Sequence, residues 1–325
     1  MFENPFFGPF FRSAGIVTVI SISLLLLLVG CGVNESDNDY TRPSGPHTGF
    51  GSANNSGENP DDDEPVSLIQ VSPGNKHTCG VGIDYGVRCW GENDLGQSSP
   101  PSGSFAQVSA GLDFTCGLGT DGSLECWGAE NFGQTAALTG TFVQISAGTD
   151  HTCGIRSDGS VECWGDDRGG KSWPPTGSFE QVSAGRAHTC GVRNNERIEC
   201  WGIDFSGQSS PPTGNFKQVS AGYDHNCGVD SDGTVHCWGS DNDNRSSPPT
   251  GSFIRVSAGL THTCGMRSDG SLECWGSDTY GQSSPPTGSF EQFRAGEYHT
   301  CGVRSDGSVE CWGSDIFGES TPPGQ

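Results

Sequence analysis

Apolar and polar residues alternate along this chain in short runs that recur at a fixed interval. In one unit, Phe142-Val143-Gln144-Ile145 alternates and is closed by Ser146-Ala147-Gly148. His151-Thr152-Cys153-Gly154-Ile155-Arg156 alternates again, and Ser157-Asp158-Gly159 interrupts it. Ser160-Val161-Glu162-Cys163-Trp164 is the third run, and a loop from Gly165 to Gly177 with Pro174-Pro175-Thr176-Gly177 at its end completes the unit. Period-two runs between Gly, Ser and Asp punctuation predict three strands joined by turns. Units of 37 residues begin at Leu68, Phe105, Phe142, Phe179, Phe216, Phe253 and Phe290, with no insertions between them. Such a period marks a repeat architecture, in which each unit buries its apolar face against the next.

The turn sets the strand register. A three-residue hairpin loop joins a type I turn to a third residue in the left-handed region, where glycine is favoured. Ser157-Asp158-Gly159 fits, so residue 155 faces 161, 154 faces 162 and Cys153 faces Cys163. The other pairs are Cys79 and Cys89, Cys116 and Cys126, Cys190 and Cys200, Cys227 and Cys237, Cys264 and Cys274, Cys301 and Cys311. Directly cross-strand cysteines suit a disulfide. One face of the hairpin carries His151, Cys153, Ile155, Val161 and Cys163, and the other carries Gly154, Arg156, Glu162 and Trp164. Trp164 is expected to lie over Gly154, filling the missing side chain. Arg156 and Glu162 are expected to meet, because the fifth unit changes both together, to Asp230 and His236. The first and fourth units place Tyr85 and Glu196 near the turn in place of the glycine, which predicts altered turns with the cysteine spacing kept.

Composition sharpens this all-β reading. Of 325 residues, 51 are Gly and 19 are Pro, which excludes a mainly helical protein. A formal charge of −23 speaks against nucleic-acid binding through phosphates. Residues 15–29, GIVTVISISLLLLLV, form an apolar run too short to span a bilayer but suited to the core of a signal peptide. Leu28-Val29-Gly30-Cys31 at its end resembles the lipobox of bacterial lipoproteins, and Cys31 is the one cysteine of the 15 that the repeats leave unpaired. The expected organisation is a signal peptide over 1–30, a lipidated Cys31 with a disordered acidic tether over 31–66, and the repeats over 67–325. A tether of that length reaches roughly 30 Å, and its Asp61-Asp62-Asp63-Glu64 run reads as a solvated spacer rather than a metal site. Gly32 in place of Asp after the lipobox points to the outer membrane.

His77, His151, His188, His225, His262 and His299 precede the first cysteine of their units by two positions, so a zinc site of two cysteines and one histidine competes with the disulfide. Export implies an oxidising compartment, and the second unit keeps Cys116 and Cys126 with Phe114 in the histidine's place. Both points favour disulfides, each contributing at most about 2.5–3 kcal/mol by chain entropy. No metal and no cofactor are expected.

The recurring A-G-x-x-H-T-C-G-x-x-x-D-G-x-x-x-C-W-G-x-x-x-x-G-Q, carried for example by Ala147-Gly148, His151, Asp158-Gly159 and Trp164-Gly165, resembles the repeats of the regulator-of-chromosome-condensation superfamily. It is most similar to the compact bacterial branch, the propellers like beta-lactamase inhibitor protein type II. The resemblance covers all seven units and implies a seven-bladed β-propeller with three strands per blade. The nucleotide-exchange and chromatin role of the family's nuclear member does not suit an exported, acidic chain.

Residues that recur in every unit are scaffold, so function is sought where the units differ. No Ser/His/Asp set, phosphate loop or distinct carboxylate pair stands apart from its sister repeats, and no catalytic residue is expected. One variable column precedes the histidine and supplies Leu112, Arg186, Tyr223, Leu260 and Tyr298 as a candidate binding rim. An ordinary variable loop accounts for that column equally well. A second column follows the tryptophan: Leu95, Phe132, Phe205, Tyr280 and Phe317 among others. Its aromatics are expected to pack between blades. Trp173, outside the repeat pattern, is an exposed contact or a local plug. The expected protein is a monomeric, envelope-anchored scaffold that binds an unknown protein or cell-surface ligand. The alternatives are an inhibitor of a secreted or periplasmic enzyme and a passive adhesive surface protein.

Overall fold

The computed structural model describes residues 67–136 and 138–324. The expected signal peptide, Cys31 and the tether lie outside the described residues. Each 37-residue unit forms one antiparallel sheet of three consecutive strands. In the first unit these are β1 (Leu68–Pro73), β2 (His77–Gly82) and β3 (Val87–Gly91), and the seventh ends with β19 (Gln292–Ala295), β20 (His299–Val303) and β21 (Val309–Gly313). Seven such sheets make a seven-bladed propeller. The first strand of each blade is innermost and buried, and the third is the outer edge.

Register follows the turn. Cys153 pairs with Cys163, Gly154 with Glu162 and Ile155 with Val161. All seven cysteine pairs are disulfides, with Cα atoms 4.0–4.1 Å apart. Arg156 Nε donates to Glu162 at 2.7 Å, and His236 meets Asp230 at 2.8 Å in the fifth blade. Two local expectations need correction. Tyr85 and Glu196 leave the turns unaltered: they adopt the left-handed φ of 63° and 64° that glycine has in the sister turns, and their amides close the same hydrogen bonds to Gly82 and Arg193. The glycine of the middle strand is covered by the inner strand's phenylalanine, not by the tryptophan. A Cβ on Gly154 would stand 2.6 Å from Phe142 Cδ1, and Trp164 packs behind that ring at 5.9 Å.

The apolar core lies between blades rather than within them. Cys153 and Ile155 of the third blade pack against Phe179, Val182 and Trp201 of the fourth. Polar side chains then tie the blades in four concentric patterns. Gln70 mimics a strand partner: its Oε1 accepts from Val108 N at 2.8 Å and its Nε2 donates to Val108 O at 2.7 Å. Glutamines 107, 144, 181, 218 and 292 make the same clamp on the next blade. Arg255 stands at this position in the sixth blade and donates to Glu291 O at 2.9 Å instead.

The serine two residues on accepts the next blade's alanine amide, as Ser109 does from Ala147 at 2.9 Å. Each buried histidine bonds through Nε2 to the next blade, as His77 does to Thr115 at 2.8 Å. Thr115 in turn donates to Gln97 O at 3.1 Å, so the imidazole supplies the proton and its Nδ1 is left without a partner. That Gln97 carbonyl also accepts from Trp127 Nε1 at 3.0 Å. The histidines and cysteines are thereby consumed in packing and disulfides. Among the described residues, no group of three or more His, Cys, Asp or Glu could hold a metal ion.

These patterns run across the junction of the last blade with the first. Gln292 clamps Val71, His299 meets Thr78 at 2.8 Å, and Glu319 O accepts from both Thr78 and Trp90. Only the serine–alanine contact is changed there. Pro73 stands at the alanine position and has no amide hydrogen, and Arg294 stands at the serine position. Gly148 shows why the inner hairpin must be glycine: a Cβ would lie 2.3 Å from the next blade's Gly185 O and 2.7 Å from His151 Cε1.

Candidate functional site

A propeller has two faces, and here they differ. One carries the Ser-Asp-Gly turns, which repeat with little change. The other carries the hairpins between inner and middle strands together with the loops leaving the outer strands. These two loop sets are joined by backbone bonds such as Glu92 N to Lys76 O at 2.8 Å. Both variable columns therefore share one face. Lys76 lies 4.6 Å over the Phe317 ring, and Tyr280 and Tyr298 meet edge-on at 5.6 Å.

The innermost ring of this face is the residue that follows the hairpin glycine. Its amide reaches the next blade, as Arg186 N does to Gly222 O and Tyr223 N to Gly259 O, both at 3.3 Å. Leu112, Arg186 and Tyr223 are half-buried in this ring and Leu260 is buried. Glu297, the seventh-blade member, is fully buried with neither carboxylate oxygen hydrogen-bonded. Burial, and then the nearby Asp113 carboxylate, hold its carboxyl protonated well above the usual range.

The second column forms an outer ring, and its aromatics do not pack away between blades. Phe132, Tyr280 and Phe317 are 44%, 48% and 42% exposed, and Phe205 is 93% exposed. Their loops turn so tightly that the side chain has no interior to enter. The Gln134 side chain accepts from Phe132 N at 2.7 Å, and Gln282 holds Tyr280 N in the same way at 2.8 Å. Trp173 is also exposed.

Glu319 keeps the acceptor in the seventh blade, holding Phe317 N at 2.7 Å, but two loops lose it. Lys171 and Arg245 occupy its position, cannot accept a hydrogen bond, and bring short 3₁₀ turns at Arg168–Gly170 and Asn242–Asn244. Buried Lys171 pairs with buried Asp166 at 2.5 Å, and Arg168 reaches the same carboxylate at 2.9 Å. Burial opposes the ionised form of Asp166, but these two cations prevail and lower its pKa to about 2. Arg245 pairs with Asp224 at 2.8 Å and donates to Leu260 O at 2.9 Å.

Here a pocket of about 540 Å³ opens over the second to fifth blades. Its walls include Leu112, Arg186, Ile203, Phe205 and Tyr223 beside the Asp166–Lys171 pair. Three of the five rim residues expected from sequence, Leu112, Arg186 and Tyr223, thus meet in one cavity. Leu260 is buried, and Tyr298 meets Tyr280 edge-on and does not line the pocket. Arg186 lies 4.3 Å over the Tyr223 ring, and burial raises the Tyr223 hydroxyl to about 12. The polar members Asp166 and Lys171 were missed. The departure from glutamine at residues 171 and 245 was the signal that could have found them.

A ring of disulfide-bonded three-stranded blades with one variable face defines a repeat propeller, and sequence comparison gives the family. The model of the regulator of chromosome condensation (RCC1) repeat matches residues 105–134, 142–170, 179–208, 216–245, 253–282 and 290–319. The chain belongs to the RCC1-repeat family. No curated protein matches it. Among solved structures it is similar to the ectodomain of the receptor kinase CR4 from Physcomitrella patens, with 26% identity and a TM-score of 0.67 over 77% of this chain and 74% of that one. It is also similar to the CRINKLY WD40 ectodomain of the Arabidopsis thaliana receptor kinase ACR4, with 28% identity and a TM-score of 0.64 over 76% and 98%. Prp20p from Saccharomyces cerevisiae shares the fold, at 16% identity and a TM-score of 0.58 over 71% and 80%.

Proposed function

We propose that this chain is an exported, lipid-anchored scaffold of the bacterial cell envelope that binds a protein partner through its variable face and performs no catalysis. One observation carries the reading. Side chains that build the ring recur from blade to blade, whereas the side chains that vary gather on one face and include the exposed Phe132, Phe205, Tyr280 and Phe317. Exposed aromatic anchors set among polar groups are the usual energetic centres of protein interfaces. RCC1-like propellers serve as protein-binding scaffolds; Prp20p was characterised for its binding to Gsp1p and histones, and those partners are its own.

Export is supported by seven disulfides, which persist in oxidising compartments, and by two relatives that are ectodomains. The lipobox-like Leu28-Val29-Gly30-Cys31 and the acidic segment over 31–66 supply the anchor and the spacer, with Gly32 directing the protein to the outer membrane. One acyl chain is marginal as an anchor, and the several chains of a lipoprotein are stable.

The test is photocrosslinking in intact cells with the full-length chain. The wild type is expected to capture a discrete protein, and Phe205→Ser combined with Tyr280→Ser is expected to lose it at equal abundance. Recovery of the same partner by that double variant would remove this face from the proposal.

A further inference from the structure

The pocket over the second to fifth blades has an uneven charge inventory. Three carboxylates and three cations line it, and a fourth cation, Arg245, pairs with one of those carboxylates from outside the lining. Asp166 is matched by Lys171 and Arg168, Asp224 by Arg245, and Asp150 by Arg168 at 4.0 Å. The cation left over is Arg186. Its guanidinium forms no ion pair and donates no hydrogen bond among the described residues, and Asp150 feels its charge without contact. Stacking on Tyr223 at 4.3 Å covers one face of the guanidinium plane. The stack leaves the in-plane donor fork unused at the wall of a cavity large enough for a ligand.

A planar fork of N–H donors is the side chain best matched to a carboxylate, which it binds through two parallel hydrogen bonds. The same pocket also exposes apolar wall residues, Leu112, Ile203 and Phe205, among its polar ones. The occupant must therefore present a carboxylate and an apolar group close together. An aspartate or glutamate side chain brings the first without the second. The last residue of a polypeptide brings both on one Cα, when its side chain is apolar. We propose that this pocket receives the C-terminal carboxylate of the partner protein, with Arg186 as the anion receptor and Leu112, Ile203 and Phe205 selecting an apolar terminal side chain. The proposal rests on the protein-binding reading of this face and specifies what the partner presents to it.

The test titrates the full-length protein in detergent with three peptides, followed by calorimetry: acetyl-Ala-Ala-Leu with a free carboxylate, the same peptide as its C-terminal amide, and acetyl-Ala-Glu-Leu amide. The free acid is expected to bind, and both amides to bind at least about tenfold more weakly, because only the terminal carboxylate engages the fork. Arg186→Gln is expected to lose the preference for the free acid. Arg186→Lys is expected to restore part of it, since an ammonium keeps the charge without the two-point geometry. Unchanged thermal melting of both variants guards against misfolding. Equal binding of acid and amide, an undiminished acid preference in Arg186→Gln, or no binding of any peptide at millimolar concentration would overturn the assignment. Preference for the internal glutamate would overturn it in favour of an acidic side chain. This titration needs no partner, so its result stands apart from that of the crosslinking experiment.

Discussion

Six imidazoles at the blade junctions give this ring its acid sensitivity. Burial lowers His77, His262 and His299 to about 3 and His188 to about 4, and lowers His151 and His225 well below the ordinary value. The unfolded chain protonates its histidines near 6.5, so below that pH it binds more protons than the folded one. Stability is full above pH 6.5 and is lost as pH falls toward the folded values, by about 1.4 kcal/mol per histidine per pH unit. Glu297 acts in the opposite sense. Its raised pKa favours the folded state at low pH, and that contribution fades as pH rises above the ordinary glutamate value. In urea titrations, the unfolding midpoint is expected to drop steeply between pH 6.5 and 4.5. His151→Phe, which copies Phe114 of the second blade, should make that drop shallower, and an unchanged slope would show that His151 is not buried neutral. The sequence placed these histidines two positions before the first cysteine of their units, and there it favoured disulfides over a zinc site. It could not show that each hydrogen-bonds into the next blade, because that contact spans 38 positions and depends on the curvature of the ring.

At the level of elements, strands, turns and disulfides were legible because all of them are local. A hairpin of fixed loop length places Cys153 opposite Cys163 whatever surrounds it. The covering of Gly154 was misjudged because only the two strands of the hairpin were considered, and Phe142 comes from the third. The left-handed turns at Tyr85 and Glu196 were misjudged for a related reason. In both units the residue's carbonyl accepts the amide of the next blade's first strand, Phe105 or Phe216, and that bond holds the turn against the penalty of a side chain. The glutamine clamp ties neighbouring inner strands through two buried hydrogen bonds. Gln218→Ala is expected to cost about 2–4 kcal/mol, because it strands both the amide and the carbonyl of Val256 in the interior. Chemical denaturation reads that loss, and a change below about 0.5 kcal/mol would mean the clamp is idle.

For the molecule as a whole, the number of blades was legible from the period, and the pocket was not. Its walls come from four successive units and two different loop columns, and only the closed ring brings Leu112 of the second blade and Tyr223 of the fifth to one cavity. Covalent state is the property best measured at this scale. Intact mass of the mature protein, alkylated without reductant, is expected to show no adduct on the fourteen repeat cysteines, and fourteen adducts after reduction in denaturant. The same spectrum tests whether Cys31 carries acyl chains. Adducts on the repeat cysteines of the untreated protein would contradict the oxidised ring.

A circle made of near-copies could in principle close on the wrong neighbour, one wedge short or with a wedge borrowed from another molecule. Pro73 and Arg294 label the ends against that error. Any blade other than the seventh that met the first would bring a serine to a proline with nothing to donate, leaving a hydroxyl stranded at the axis. The mismatched pair thus acts as a key at the joint, telling the first wedge which one is last.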